Sequence, residues 1–180
     1  INTYSLTIKS EGANEISSVI SGSGNLIKSG TGTLTLSSNN TFSGSTTISN
    51  GTLVLENDAP NPTSKTISGT GKIIIQPSSD SFTASFFTTG WTFNSTLSGL
   101  TIGTVSNTAN ITVANDIEIA GPISIYGGDI TINENLTSTV AESDILLKGS
   151  DISLATNKSI TTNGGDIIFW ANRDNITTGA

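Results

Sequence analysis

The sequence predicts an all-β fold, a parallel β-helix (β-solenoid) in which short strands of successive coils stack on one another. Three observations predict it: strand-like runs recur at a nearly constant step, turn residues follow each run, and no window shows the spacing of an amphipathic helix. Each run supplies one strand to a coil of about 19–22 residues. We therefore expect almost no α-helix.

The first half of the chain carries one series of runs. The segments 32–36 (GTLTL), 51–55 (GTLVL) and 71–75 (GKIII) recur at steps of 19 and then 20, and each opens with glycine. A short strand opened by glycine suits the corner where a coil changes direction. The runs therefore predict three strands stacked in register.

The second half carries two series in which the step lengthens to 22. One series contains 123–125 (ISI), 145–147 (ILL) and 167–169 (IIF), and the other contains 130–132 (ITI) and 152–154 (ISL). Because side chains alternate along a strand, the outer two residues of each triplet are predicted to point inward and the middle residue outward.

The regular step breaks once, which predicts three regions in one continuous solenoid. We expect a first array over 1–76, an aromatic-rich irregular segment or enlarged coil over 77–99, and a second array of 22-residue coils over 100–180. Stacking at about 4.8 Å would give roughly nine coils and a rod a little over 40 Å long. Neither end shows a capping element, so the chain is expected to be a fragment of a larger protein.

Composition and charge argue against several classes of function. The net charge is −7, and the seven basic residues are scattered, so nucleic acid and anionic membrane are not expected as partners. No apolar run reaches the roughly 20 residues that a membrane helix needs, so we expect no direct membrane insertion. The chain has no Cys and no His. We therefore predict no enzyme, no catalytic residue, no metal ligand and no cofactor.

Aspartates recur at the turns of the second array. The step from Asp129 to Asp151 is 22, as is the step from Asp144 to Asp166, so each pair is expected to stack one coil apart. Each Asp follows Gly or Ser and precedes Ile, which predicts a turn-forming side chain. A weak calcium site at either ladder is the alternative.

Aromatic residues concentrate in the irregular segment, at Phe82, Phe86, Phe87, Trp91 and Phe93. We expect them to pack inward and cover the joint between two arrays of different coil length. The alternative is an exposed Trp91 that grips a sugar ring or a partner protein.

Phe169 and Trp170 are likewise expected to pack inward. Because the two residues are adjacent on a predicted strand, one of them must nevertheless face outward.

Two stretches resemble known families. Residues 24–36 (GNLIKSGTGTLTL), followed by Asn40, Phe42 and Gly44, resemble the autotransporter-associated β-strand repeat, which usually has Gly where Ser38 stands and Tyr where Phe42 stands. Residues 121–174, with their GGDI turns, resemble repeats of filamentous-haemagglutinin-like exoproteins and of giant surface proteins of gliding Bacteroidetes.

These resemblances imply a right-handed β-helix, secretion to the extracellular face of the bacterial outer membrane, and no catalytic residues. The resulting hypothesis is a monomeric structural and adhesive rod, the stalk of a large adhesin that contacts host, abiotic or cell-surface glycan or protein through its parent protein; gliding motility is a related role. The alternative is a glycan- or protein-binding module that uses the aromatic segment 82–93. A polysaccharide-cleaving β-helix enzyme is the third class.

Overall fold

The computed structural model describes residues 4–56 and 64–171, and every strand pairing within them is parallel. None of these residues is helical, so the predicted all-β solenoid is confirmed. No described segment forms a helix that is long and apolar enough to cross a membrane.

The described strands are short, and in chain order they are β1 (Leu6–Lys9), β2 (Ala13–Ile16), β3 (Leu26–Ser29), β4 (Thr33–Leu36), β5 (Thr46–Ile48), β6 (Thr52–Glu56), β7 (Lys65–Gly69), β8 (Lys72–Gln76), β9 (Phe86–Phe87), β10 (Trp91–Phe93), β11 (Gly99–Ile102), β12 (Ile111–Val113), β13 (Ile117–Ile119), β14 (Ile123–Tyr126), β15 (Ile130–Ile132), β16 (Leu136–Ala141), β17 (Ile145–Gly149), β18 (Ile152–Leu154), β19 (Ile160–Asn163) and β20 (Ile167–Ala171).

Four parallel sheets run along the solenoid. One sheet takes a strand from each of eight turns, in the order β2-β4-β6-β8-β11-β14-β17-β20. In the first four turns a second sheet, β1-β3-β5-β7-β10, completes the coil, and this sheet ends at β10. The sheet β9-β12-β15-β18 begins in the fifth turn, which also contains β10, and the sheet β13-β16-β19 begins in the sixth turn. The solenoid therefore changes from two strands per coil to three.

The strand register reproduces the steps read from the sequence. Thr33 pairs with Thr52, and Thr52 pairs with Lys72, which gives steps of 19 and then 20. Ile123 pairs with Ile145, and Ile145 with Ile167, at steps of 22. The joint takes a longer step, from Lys72 to Gly99. Because this coil uses more chain, the described residues form eight turns and not the roughly nine predicted from length.

The core is a set of inward-facing apolar ladders. Along the eight-stranded sheet every member of one ladder from β4 to β17 has no exposed surface: Leu34, Leu53, Ile73, Leu100, Ile123 and Ile145. Burying each such side chain contributes about 1.5–3 kcal/mol. Ile123 and Ile125 are buried while Ser124 between them is partly exposed, as the alternation predicted.

The prediction that Phe169 and Trp170 pack inward is wrong as to burial. Phe169 pairs with Leu147 on the inward side, yet it is 52% exposed because no described strand stacks on β20. Trp170 pairs with Lys148 on the outer face and is 55% exposed. Of the two neighbours, Trp170 is therefore the one that faces outward.

Candidate functional site

The aromatic segment forms the coil in which the cross-section changes. Strand β9 begins the four-stranded sheet, β10 ends the five-stranded sheet, and β11 continues the eight-stranded sheet. Strand β10 pairs with β7, while β13 pairs with β16 only. Between β10 and β13 the backbone ladder is therefore interrupted, and side chains join the two arrays there. The β8-β11-β14 ladder continues across the joint.

A stack of rings fills the interior of this coil. The ring centroids are 5.5 Å apart for Phe82 and Phe86, 6.1 Å for Phe86 and Trp91, and 5.9 Å for Trp91 and Phe93. All four side chains are buried, which confirms the predicted inward packing for them. Trp91 is only 6% exposed, so the alternative that required an exposed Trp91 is wrong. For Phe87 the same prediction is wrong: it follows the buried Phe86 on β9, so alternation places it on the outer face, where it is 42% exposed.

Asn107 connects the joint to both neighbouring segments, a role that sequence reasoning missed. Its Oδ1 accepts hydrogen bonds from the Phe82 backbone N–H (3.1 Å) and the Ser81 hydroxyl (2.9 Å). Its Nδ2 donates to the carbonyl of Tyr126 at 2.8 Å. Because the side chain is only 5% exposed, these bonds satisfy groups that water reaches poorly.

Asn115 and Thr88 make the second polar connection of the joint. The Thr88 hydroxyl donates to Asn115 Oδ1 at 2.5 Å and accepts from the Ala114 N–H at 2.8 Å. Asn115 Nδ2 donates to the Trp91 carbonyl at 3.0 Å. These bonds link β10 to the segment before β13, where the ladder is interrupted.

Side chains at several turns bond to the backbone of the next coil. Asp144 Oδ1 accepts from the Asp166 N–H at 2.8 Å, so these two residues stack one coil apart as predicted. The carbonyls of Asp129 and Asp151 accept from Ile111 and Ile130, at 2.9 Å and 2.8 Å. Among residues 4–56 and 64–171 no group of three or more acidic, His or Cys side chains could hold a metal ion.

A polar groove of about 270 Å³ lies on the β13-β16-β19 side of the second array. It is lined by Asp116, Ile117, Glu118, Asn135, Thr137 and Ser159. Asp116 Oδ1 accepts from the Asn135 N–H at 2.9 Å, and Asn135 Oδ1 accepts from the Ser159 N–H at 3.0 Å. Much of the polar lining is therefore already engaged in holding coils together.

Two lysines of the first array are shielded from water, Lys28 fully and Lys65 in part. Lys28 is fully buried, and its Nζ donates to the carbonyls of Gly30 (2.5 Å) and Asn50 (3.0 Å). Burial lowers the pKa of Lys28, and the charge of Glu11 opposes that change. Lys65 Nζ lies 3.2 Å from the centroid of the Phe42 ring. Burial lowers the pKa of Lys65 to about 8.

Ion pairs nearer the surface shift the pKa values of their members in the direction that favours the charged form. A hydrogen bond from Lys9, helped by the backbone and hydroxyl of Thr31, lowers the pKa of Glu11 to about 2. A hydrogen bond to Glu134 raises the pKa of Lys158. The first pair is open to solvent and the second partly so, and both therefore contribute little to stability.

Residues 26–55 match the family model of the passenger-associated-transport-repeat. The matched window begins at β3 and ends within β6, and thus covers two consecutive two-strand coils of the first array. No curated protein and no solved structure matches the chain.

The match places an autotransporter passenger repeat in the part of the chain where the sequence resembled one. Lys28 lies inside this repeat, on the same inward face as Leu26. Strict alternation in the run LIKS was the signal that could have identified its burial. A lysine at an inward position of a half-buried strand is uncommon unless its ammonium group has hydrogen-bond or ion-pair partners.

Proposed function

We propose that this segment is a structural rod of an autotransporter-type passenger, carried by a large secreted surface protein and displayed at the extracellular face of the bacterial outer membrane. The observation that carries the proposal is the eight-stranded parallel sheet that takes one strand from each turn. The passenger-repeat match over residues 26–55 supports the secretion route.

The physics of stacking supports a role in which length is the function. Each turn contacts only its neighbours, so turns can be added without altering the rest of the molecule. Inward ladders bury apolar groups, and turn side chains such as Asp144 and Asn110 bond to the next coil. A rod built in this way is a monomer that holds an adhesive surface at a distance from the cell.

We further propose that the segment acts as an adhesin stalk without enzymatic activity, and that host, abiotic or cell-surface glycan or protein is contacted by the parent protein. A role in gliding motility would follow from the same display. The buried aromatic joint argues for a structural part of the rod, since Trp91 and Phe86 face the core and are not available to a ligand.

Display is tested on intact cells of the bacterium that encodes the chain. An antibody raised against the 180-residue chain is applied before and after permeabilisation of the outer membrane, with a periplasmic protein as the matched control. We expect labelling without permeabilisation. Labelling that appears only together with the periplasmic control would refute display.

The rod role is tested by changing the number of coils. Deletion or tandem duplication of residues 123–144 removes or adds one full register step, since Ile123 pairs with Ile145. We expect folded proteins whose length by small-angle X-ray scattering changes by about 4.8 Å per coil. Deletion of 123–133, about half a coil, breaks the register and serves as the control. If the full-coil variants unfold as the half-coil variant does, coils cannot be added or removed independently, and the rod role is refuted.

A further inference from the structure

The outer face of the eight-stranded sheet changes character in its last three described turns. Tyr126, Lys148 and Trp170 pair successively along one outward ladder, and Leu146 and Ile168 pair on the neighbouring one. These five residues are called the outer patch. The outward ladder that leads to Leu146 carries, in the preceding turns, Glu15, Thr35, Val54, Ile74, Thr101 and Ser124. Apolar side chains thus occur on this ladder in earlier turns too, and the outer patch is distinguished by its two aromatic rings on either side of Lys148.

The patch combines open aromatic surface with a positive charge. Trp170 is 55% exposed and Ile168 is 40% exposed, while Tyr126, Leu146 and Lys148 are partly exposed. Lys148 Nζ lies 4.5 Å from the centroid of the Trp170 ring. The ring face holds the ammonium near the middle of the patch, between two aromatic side chains.

Lys148 differs from most of the other described lysines in its partners. Lys9 and Lys158 form ion pairs with carboxylates, whereas Lys28 and Lys65 donate to backbone carbonyls. No carboxylate of the described residues lies within ion-pair distance of Lys148, although the chain carries a net charge of −7. The partly exposed Lys148 ammonium is therefore available to an anionic group of a ligand.

We propose that the outer patch binds an acidic polysaccharide, with a carboxylate on Lys148 and sugar faces on Trp170 and Tyr126. Adjacent coils are about 4.8 Å apart, so the two rings lie about 10 Å apart with the ammonium between them. A linear chain of uronic acids presents carboxylates between flat C–H faces, which matches that order. This contact goes beyond the rod function and does not depend on it.

Two other ligand classes fit the patch less well. Single-stranded nucleic acid also stacks on aromatic rings, but most of its affinity for proteins comes from a groove of several basic groups that follows the backbone, and the patch contains one basic group. A neutral glycan would stack on the rings of Trp170 and Tyr126 but would offer no negatively charged group to the Lys148 ammonium. A partner with regularly spaced, single carboxylates therefore satisfies both features together.

The test measures binding of the full 180-residue chain to immobilised alginate at physiological salt by biolayer interferometry. Carboxyl-reduced alginate and single-stranded oligo-dT are the comparison ligands. We expect binding to alginate, and a loss of at least about tenfold in Lys148→Gln and in Trp170→Ala, since one charge-assisted hydrogen bond has roughly that effect. Tyr126→Ser provides a third variant of the same ladder.

Matched controls remove the same kinds of side chain elsewhere. Lys72→Gln removes an outward lysine of the same sheet, and Tyr4→Ala removes an aromatic side chain that is 81% exposed. Both are expected to bind alginate within twofold of the unmodified chain, and circular dichroism must show every variant to be β-folded. Absence of alginate binding, equal binding of the carboxyl-reduced polymer, stronger binding of oligo-dT, or unchanged affinity in the patch variants would each overturn the proposal. None of these outcomes bears on display or rod length.

Discussion

Replacing Asn107 by alanine is expected to weaken the joint between the two arrays more than any exposed turn replacement. The Asn107 side chain joins its own segment to two others: it accepts from the Phe82 N–H and the Ser81 hydroxyl, and it donates to the Tyr126 carbonyl. Alanine removes all of these contacts at once and brings no new polar group.

The magnitude follows from the groups left without partners. The N–H of Phe82 lies in a buried environment, and the Tyr126 carbonyl loses a 2.8 Å bond. Each buried backbone group left unsatisfied costs about 1–3 kcal/mol. Two such groups predict a loss of about 2–6 kcal/mol in the free energy of unfolding. Because the lost bonds span the joint, the two arrays should also unfold less cooperatively.

The assay is equilibrium urea unfolding of the full chain followed by circular dichroism. Asn94→Ala is the matched control, since Asn94 lies in an exposed turn and its side chain bonds to Thr96 at 3.1 Å and 2.6 Å. We expect the control to cost about 0.5–1.5 kcal/mol with one transition. If Asn107→Ala costs no more than Asn94→Ala, the assigned role of Asn107 in the joint is refuted.

Three further results are expected. Gly69→Ala should lower the melting temperature sharply, because Gly69 has φ +104° and a Cβ there would overlap the Ile48 carbonyl oxygen; Gly12→Ala, with nothing within 4 Å, should leave it nearly unchanged. Trp91→Ala should cost about 3–5 kcal/mol in urea titrations through the cavity it leaves, and a cost below about 1 kcal/mol would contradict the buried stack. The folded pKa of Lys65, about 8, lies below the usual 10.5, so the unfolded chain binds more protons between these values and the free energy of unfolding should rise with pH across that window. Lys65→Met should remove this part of the rise, and an identical pH profile in both proteins would contradict it.

The strands and their stacking could be predicted because they follow from local alternation and a constant step. Runs such as 123–125 and 145–147 fix which residues face inward and which coils are neighbours, and the observed register agrees. The inward packing of Phe86 and Trp91 followed from their apolar surface alone. In these cases the structure depends on side-chain alternation over a few residues and on the constant sequence step between coils.

The contacts of the joint could not be predicted in the same way. Asn107 is one asparagine among many, and its role depends on three segments that meet only after folding. The outward direction of Trp170 also needed the register, because alternation alone does not decide which of two adjacent aromatics faces the core. Side-chain alternation in β3 would have predicted that Lys28 is buried, but burying a charged group is costly. Only the structure shows the two carbonyls that accept hydrogen bonds from its ammonium.

The change from two strands to three per coil has a consequence for how such a gene can vary. Recombination within either array exchanges coils of equal cross-section. The resulting proteins can therefore gain or lose coils and still pair the backbone hydrogen-bonding groups of every strand. Recombination that places a two-strand coil directly on a three-strand coil leaves strand edges open, since only the fifth turn carries the residues that bridge them. Length polymorphism should therefore accumulate on both sides of the aromatic coil, while that coil is inherited as a single copy.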